Sequence, residues 1–250
     1  VFAQYAEPQA ILIVLLAFLG GGLVKGLSGI GMPLAALPIL SFGFSVPQSV
    51  ALISIPIVIT NIRQATKNGG AWNVVKRFWR LQIAIAITLV FSSRWMVTLD
   101  ETLLLLTAGG ALIISVFLMG VGGRYQFPAR HERWGGVVVG VAAGVLGGVS
   151  SLFGMPVVLF LASLKVSKDE FITSIAVIYL CAAVPFAIGL FYHGAMLPAD
   201  AFASTLAVIP ALLGLEVGRR MIRNVNDAVF RKILLSVLLL MGVSMILRGL

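Results

Sequence analysis

The chain has 250 residues, of which 60% are hydrophobic and only 11% charged, and its formal net charge is +9. A soluble domain carries about 25% charged residues, so this composition excludes a water-covered globule; the basic residues fall in short loops between apolar runs, which excludes a nucleic-acid binder. The single cysteine, Cys181, excludes an internal disulfide, and no Cys/His cluster points to a metal.

Taken in chain order, ten apolar segments stand out: 9–27, 32–43, 47–66, 77–97, 101–122, 134–151, 155–165, 169–192, 198–218 and 227–248. The first lacks a basic start and follows Glu7, which argues against a cleaved signal peptide. Eight are long enough, or nearly so, to cross a bilayer at 1.5 Å per residue. The segments 32–43 and 155–165 are not: about twelve residues rise ~18 Å, against a hydrocarbon core of about 30 Å.

The two short segments occupy equivalent places. "GLSGIGMPLAALPIL" begins at Gly26 and "GVSSLFGMPVVLFLA" at Gly148, and both contain Gly-Met-Pro. "NGGAW" at 68–72 answers "YHGAM" at 192–196, and "LMGV" occurs at 118–121 and 240–243. The chain therefore divides into two repeats, 1–125 and 126–250, each reading long, short, long, long, long. Paired Gly/Pro-interrupted segments in two halves are the best sequence pointer to a transporter site.

Loop charge sets the orientation. Arg63, Lys67, Lys76, Arg77 and Arg80, then Arg124, Arg130 and Arg133, then Arg219, Arg220, Arg223, Arg231 and Lys232 mark three inner loops. The 193–200 loop, with Asp200 and no Lys or Arg, belongs outside, as does 92–100. Equivalent third segments then run in opposite directions. The expectation is an all-α integral membrane protein of two inverted repeats, each a short-helix hairpin plus three transmembrane helices, with both termini outside.

The hairpin tips carry the chemistry. Pro33 and Pro156 suit the first turn of a helix, so the positive ends of two helix dipoles would face the protein centre, where free N–H groups bind anions. Gly29, Gly31 and Gly154 let a ligand approach the backbone, and Ser28, Ser150 and Ser151 add hydroxyls. Lys25 stands just before the first tip, and a lysine in an apolar segment is functional by default. Asn61, Arg63 and Gln64 gather at one helix end; Phe153 and Tyr179 offer a rest for an apolar tail. No Asp or Glu sits mid-segment, with Glu216 near an inner end beside Arg219 and Arg220, so a small anion suits the site better than a cation. No phosphate loop and no nucleophile–base pair argue for an ATPase or another enzyme. A passive anion channel and a non-transporting membrane partner fit the same segments.

On these motifs, together with "QSVALIS" opening the third segment and "RRMIRNVNDAVFRKILLSVLLLMGVSMIL" closing the chain, the sequence resembles the sulfite exporter TauE/SafE family, also called the toluene-sulfonate uptake permeases. The resemblance implies transport of sulfite, sulfoacetate or other sulfonates across a bacterial inner membrane. It also implies protons or another ion as coupling partner, lipid as surroundings, and no cofactor.

Overall fold

The computed structural model describes residues 4–5, 7–67, 69–121, 127–164, 166–221 and 227–250. Asn68, Arg124, Arg223 and the boundary expected at 125/126 lie outside them. Helix α1 (Pro8–Ser28) is followed by the short α2 (Met32–Leu40), α3 (Val46–Lys67), α4 (Ala71–Ser92), the single turn α5 (Trp95–Thr98) and α6 (Glu101–Val121). After a 3-10 turn at Ala129–His131 come α7 (Glu132–Ser150), the short α8 (Gly154–Ser163), α9 (Lys168–Tyr192), α10 (Pro198–Met221) and α11 (Asp227–Gly249).

Among the described residues seven spans are long and apolar enough to cross a membrane: α1, α3, α4 with α5, α6, α7, α9 and α10. The chain is an all-α, multi-pass membrane protein. The eighth expected crossing, 227–248, forms α11, but its described apolar stretch is the shorter Leu234–Gly249. The two segments expected to be short are 9 and 10 residues long.

One boundary differs. The fourth segment, expected to start at residue 77, starts at Ala71, after Gly70 at φ 74°. Its first turns are amphipathic: Val74 and Phe78 are buried while Trp72, Asn73 and Lys76 are exposed. The charges there lower the hydropathy, which hides the helix from an apolar-run reading. At Phe78 the backbone leaves helical geometry (φ −108°, ψ 18°). The buried Gln82 amide donates to the Val74 carbonyl at 3.4 Å, spanning this bend.

Matching capping residues open α3 and α9. Ser45 and Gln48 exchange hydrogen bonds across the α3 start at 3.3 and 3.4 Å, a capping box, and Ser167 accepts from the Glu170 N–H at 3.2 Å. α3 and α9 are the most buried spans and pack on each other, α3 also on α10 and α9 also on α4. Pro56 inside α3 cannot donate to the Leu52 carbonyl. Ser204 of α10 donates to it instead, at 2.7 Å, and accepts from the Ile55 N–H at 3.2 Å.

The outer helices meet through glycines. α1 lies on α10, where a Cβ at Gly22 or Gly26 would come within 2.3 Å of the Ala211 or Leu215 carbonyl oxygen; at Gly214 and Gly218 it would meet the Leu19 and Leu23 carbonyls at 2.2 and 2.3 Å. These are two small-xxx-small seams facing each other, the arrangement that lets membrane helices approach closely. α4 lies on α7 along Gly140, Gly144 and Gly148, and α6 on α11 at Gly109 and Gly242.

Candidate functional site

The sequence breaks α1 and α7 in the same way. At the end of α1, Gly29 takes φ 79° and returns its N–H to the Lys25 carbonyl at 2.7 Å. At the end of α7, Ser151 takes φ 59°, and its N–H returns to the Gly147 carbonyl at 2.8 Å. Both are left-handed helix stops. One residue earlier, the Ser28 hydroxyl bonds the Val24 carbonyl at 2.7 Å and accepts from the Ile30 N–H at 3.3 Å. Ser150 does likewise with Leu146 at 2.6 Å and Leu152 at 3.2 Å. These two hydroxyls, expected to serve a ligand, are occupied in shaping the turns.

Gly31, at φ 91°, then leads into α2, with Pro33 in its first turn. The chain has doubled back by that point: a Cβ on Gly21, well inside α1, would sit 3.0 Å from the Met32 carbonyl oxygen. α8 starts at Gly154, against Tyr179 in the middle of α9. The first N–H groups of both short helices have no intrahelical acceptor.

The tips share a small cavity. Gly31 and Pro33 line it from the first tip, Ser151, Phe153 and Gly154 from the second, and Tyr179 from α9. Its volume is about 20 Å³, room for about one water molecule. Tyr179 is 5% exposed, its ring set edge-on to Phe153 at 5.4 Å. A Cβ on Gly154 would fall 1.7 Å from the Tyr179 hydroxyl, so only glycine admits the phenol here. Among the described residues neither the Tyr179 hydroxyl nor the Ser151 hydroxyl has a hydrogen-bond partner. Buried hydroxyls are normally satisfied, so the cavity presents two unspent polar groups.

Lys25 and Asn61 do not line the cavity. They form a buried pair between α1 and α3: Lys25 Nζ donates to Asn61 Oδ1 at 2.5 Å, and Asn61 Nδ2 donates to the Ile57 carbonyl at 2.8 Å. Lys25 is 3% exposed, with no carboxylate within ion-pair distance among the described residues. One turn on, Gln64 donates to the Gly29 carbonyl at 3.0 Å, fastening the first tip to α3. Arg63 points elsewhere, exposed and paired with Glu216 at 3.0 Å, where Arg219 and Arg220 also converge.

Sequence reasoning did not single out Ile30, Leu34, Leu152 and Met155, which complete the cavity wall. Apolar residues beside a Gly-rich break carry no chemical signal of their own; their place follows from the two tips meeting. No group of three or more His, Cys, Asp or Glu among the described residues could hold a metal ion.

Seven apolar spans, with two short helices whose starts meet at one cavity, describe a multi-pass membrane protein. The model of the sulfite exporter TauE/SafE family matches residues 13–245, and the chain belongs to that family. Transport across a membrane is the general function that membership carries. Comparison with curated proteins and with solved structures found no match.

Proposed function

We propose that the protein is a secondary transporter of small organosulfur anions, a sulfonate, sulfoacetate or sulfite, held between the two Gly-rich tips. The observation that carries this reading is the shared cavity with the unpartnered hydroxyls of Tyr179 and Ser151, set beside the N-terminal ends of α2 and α8. In the proposed cycle the tips part and the anion enters between them. The backbone at Gly31 and Gly154 and the hydroxyls meet its oxygens, Gly29 turns the first tip toward it, and Lys25 supplies positive charge from behind that tip. Ser28, Ser150 and Asn61 hold the tips in register, Phe153 and Tyr179 take an apolar tail, and Arg63 gathers anions at the inner mouth. Protons or a second ion would drive the cycle.

The reading takes 1–125 and 126–250 as inverted repeats that rock against each other, in a bacterial inner membrane with both termini outside. Support comes from the packing pairs: exchanging the halves turns α1 on α10 into α7 on α4, α3 on α10 into α9 on α4, and α1 on α2 into α7 on α8. It comes also from the matched stops at Gly29 and Ser151 and the matched positive φ at Gly70 and Gly194.

The test is the thermal stability of the purified protein against sulfite, sulfate, thiosulfate, short sulfonates, matched carboxylates and a neutral analogue. A ligand at 100 times its Kd adds about 2.7 kcal/mol. The expected result is a shift confined to sulfite or sulfonates, abolished by Lys25→Ala and kept by Arg130→Ala; no shift with any anion overturns the proposal. In vesicles, unlabelled substrate should stimulate counterflow, and its absence with fast flux would mark a channel. In a Cys181→Ser background, a cysteine replacing Gly194 should react with an impermeant reagent from outside only.

A further inference from the structure

Away from the tips, the start of α4 and the start of α7 enclose a second, polar groove of about 470 Å³. Four basic side chains line it, Lys76, Arg77, Arg80 and Arg133, against one carboxylate, Glu132. Arg77 is already neutralised: it forks onto Glu132 at 2.7 and 3.0 Å and reaches Glu170 of α9 at 2.6 Å. That leaves Lys76, Arg80 and Arg133 without a carboxylate within ion-pair distance among the described residues. Arg77 with two carboxylates leaves one surplus negative charge, and three unpaired cations against it still make the groove net positive, which favours an anion.

Tryptophans frame these cations. Lys76 lies 5.4 Å from the Trp72 ring, and Arg80 lies between Trp79 at 5.3 Å and Trp134 at 5.9 Å. All three rings are at least half exposed, as tryptophans at the headgroup level of a bilayer are. Along the same helix faces follow Ile83 and Ile87 below Trp79, and Val138 and Val141 below Trp134, all exposed. The polar groove therefore runs straight into an apolar lane on either side of the α4–α7 seam. A soluble anion would have no use for that lane.

We propose that this groove binds the phosphate of an anionic phospholipid, with Lys76, Arg80 and Arg133 around the headgroup and the acyl chains laid along Ile83, Ile87, Val138 and Val141. Basic pockets between membrane helices suit such headgroups. The lipid would bridge α4 and α7 at the bend that Phe78 introduces in α4.

The experiment measures lipid retained by the purified full chain through detergent exchange, read by native mass spectrometry, with phosphatidylglycerol or phosphatidylcholine supplied. A parallel arm measures thermal stability with inorganic phosphate. Phosphatidylglycerol should be retained roughly tenfold better than phosphatidylcholine. Each of Lys76→Gln and Arg133→Gln should lower retention about fivefold, the scale of one basic side chain near an anionic surface, and Arg94→Gln should leave it unchanged. Among the described residues neither Lys76 nor Arg133 makes an ion pair, so the single variants keep the fold, which gel filtration checks. Equal retention of the two lipids, or retention insensitive to both variants, overturns the proposal. Stabilisation by inorganic phosphate through the same two residues, without selective lipid retention, also overturns it and makes the groove a soluble-anion site.

Discussion

Lys25 Nζ lies 2.5 Å from Asn61 Oδ1, and both side chains are buried between α1 and α3. Among the described residues the lysine has one acceptor and no carboxylate, so it keeps the capacity to meet an anion that a salt bridge would consume. Asn61→Leu removes the acceptor and leaves the amine stranded. Unfolding in detergent should show a loss of about 2–3 kcal/mol, the cost of an unsatisfied buried polar group. Lys25→Met keeps the apolar stem and should cost less, while removing ligand-dependent stabilisation. A Lys25→Met variant that still responds to the anion would take Lys25 out of the site.

Gly154 and Tyr179 form a second coupled pair. Gly154→Ala would push a methyl into the phenol oxygen and should destabilise by about 1–3 kcal/mol, as overpacking does. Tyr179→Phe removes that oxygen, so the double variant should recover part of the loss. A coupling energy below about 0.5 kcal/mol in the double-mutant cycle would mean that the two groups do not touch.

Ser204 repairs the backbone that Pro56 interrupts. Ser204→Ala should cost about 1–3 kcal/mol, because a buried carbonyl and N–H lose their partner. Pro56→Ala restores the N–H donor to Leu52, so in that background the same serine substitution should cost clearly less. Equal costs in both backgrounds would contradict the repair.

The glycine seams make a sharp contrast. Gly22→Ala and Gly26→Ala each place a methyl against backbone oxygens of α10 that have no free rotamer to yield, so each should cost about 1–3 kcal/mol or more. At Gly110 in α6 an added Cβ meets nothing within 4 Å. Gly110→Ala should gain up to about 1 kcal/mol from helix propensity. Thermal unfolding of the three variants side by side reads this directly.

Tyr5 precedes the first span. Its hydroxyl bonds the Asp200 carboxylate, and burial first, then that bond and the carboxylate charge, push its pKa well up. The fold thus favours the neutral phenol. The contribution is complete below the unfolded value of about 10 and is lost as pH rises above it. Stability of the native chain should therefore fall more steeply between pH 10 and 11 than that of Tyr5→Phe; parallel curves would refute the link.

Much of the fold was legible because the lipid imposes simple rules. Long apolar runs became spans, and two runs too short to cross became α2 and α8, each beginning beside a Gly-Met-Pro. The residues of the tips were legible as breaks, since positive φ at Gly29 and Gly31 needs glycine. Their tasks were not. Ser28 and Ser150 read as hydroxyl donors at the tips, and their bonds to the carbonyls of Val24 and Leu146 appear only in the fold. Arg63 reads as a cation at a helix end, and its pairing with Glu216, 153 positions later in the chain, could not be read there. The first turns of α4 were hidden because hydropathy averages Trp72 with Lys76 and Arg77. The Gly22/Gly26 seam was hidden because its partner, Gly214/Gly218, lies on a helix that only packing brings close.

The closed contact between the tips also matters to the membrane that houses it. Under the proposed function, a passage this narrow, with space for about one water and walled largely by apolar side chains, would stop hydrated ions. On that proposal the molecule would be an electrical insulator between turnovers. A cell could then carry many copies of it without short-circuiting the voltage across its membrane.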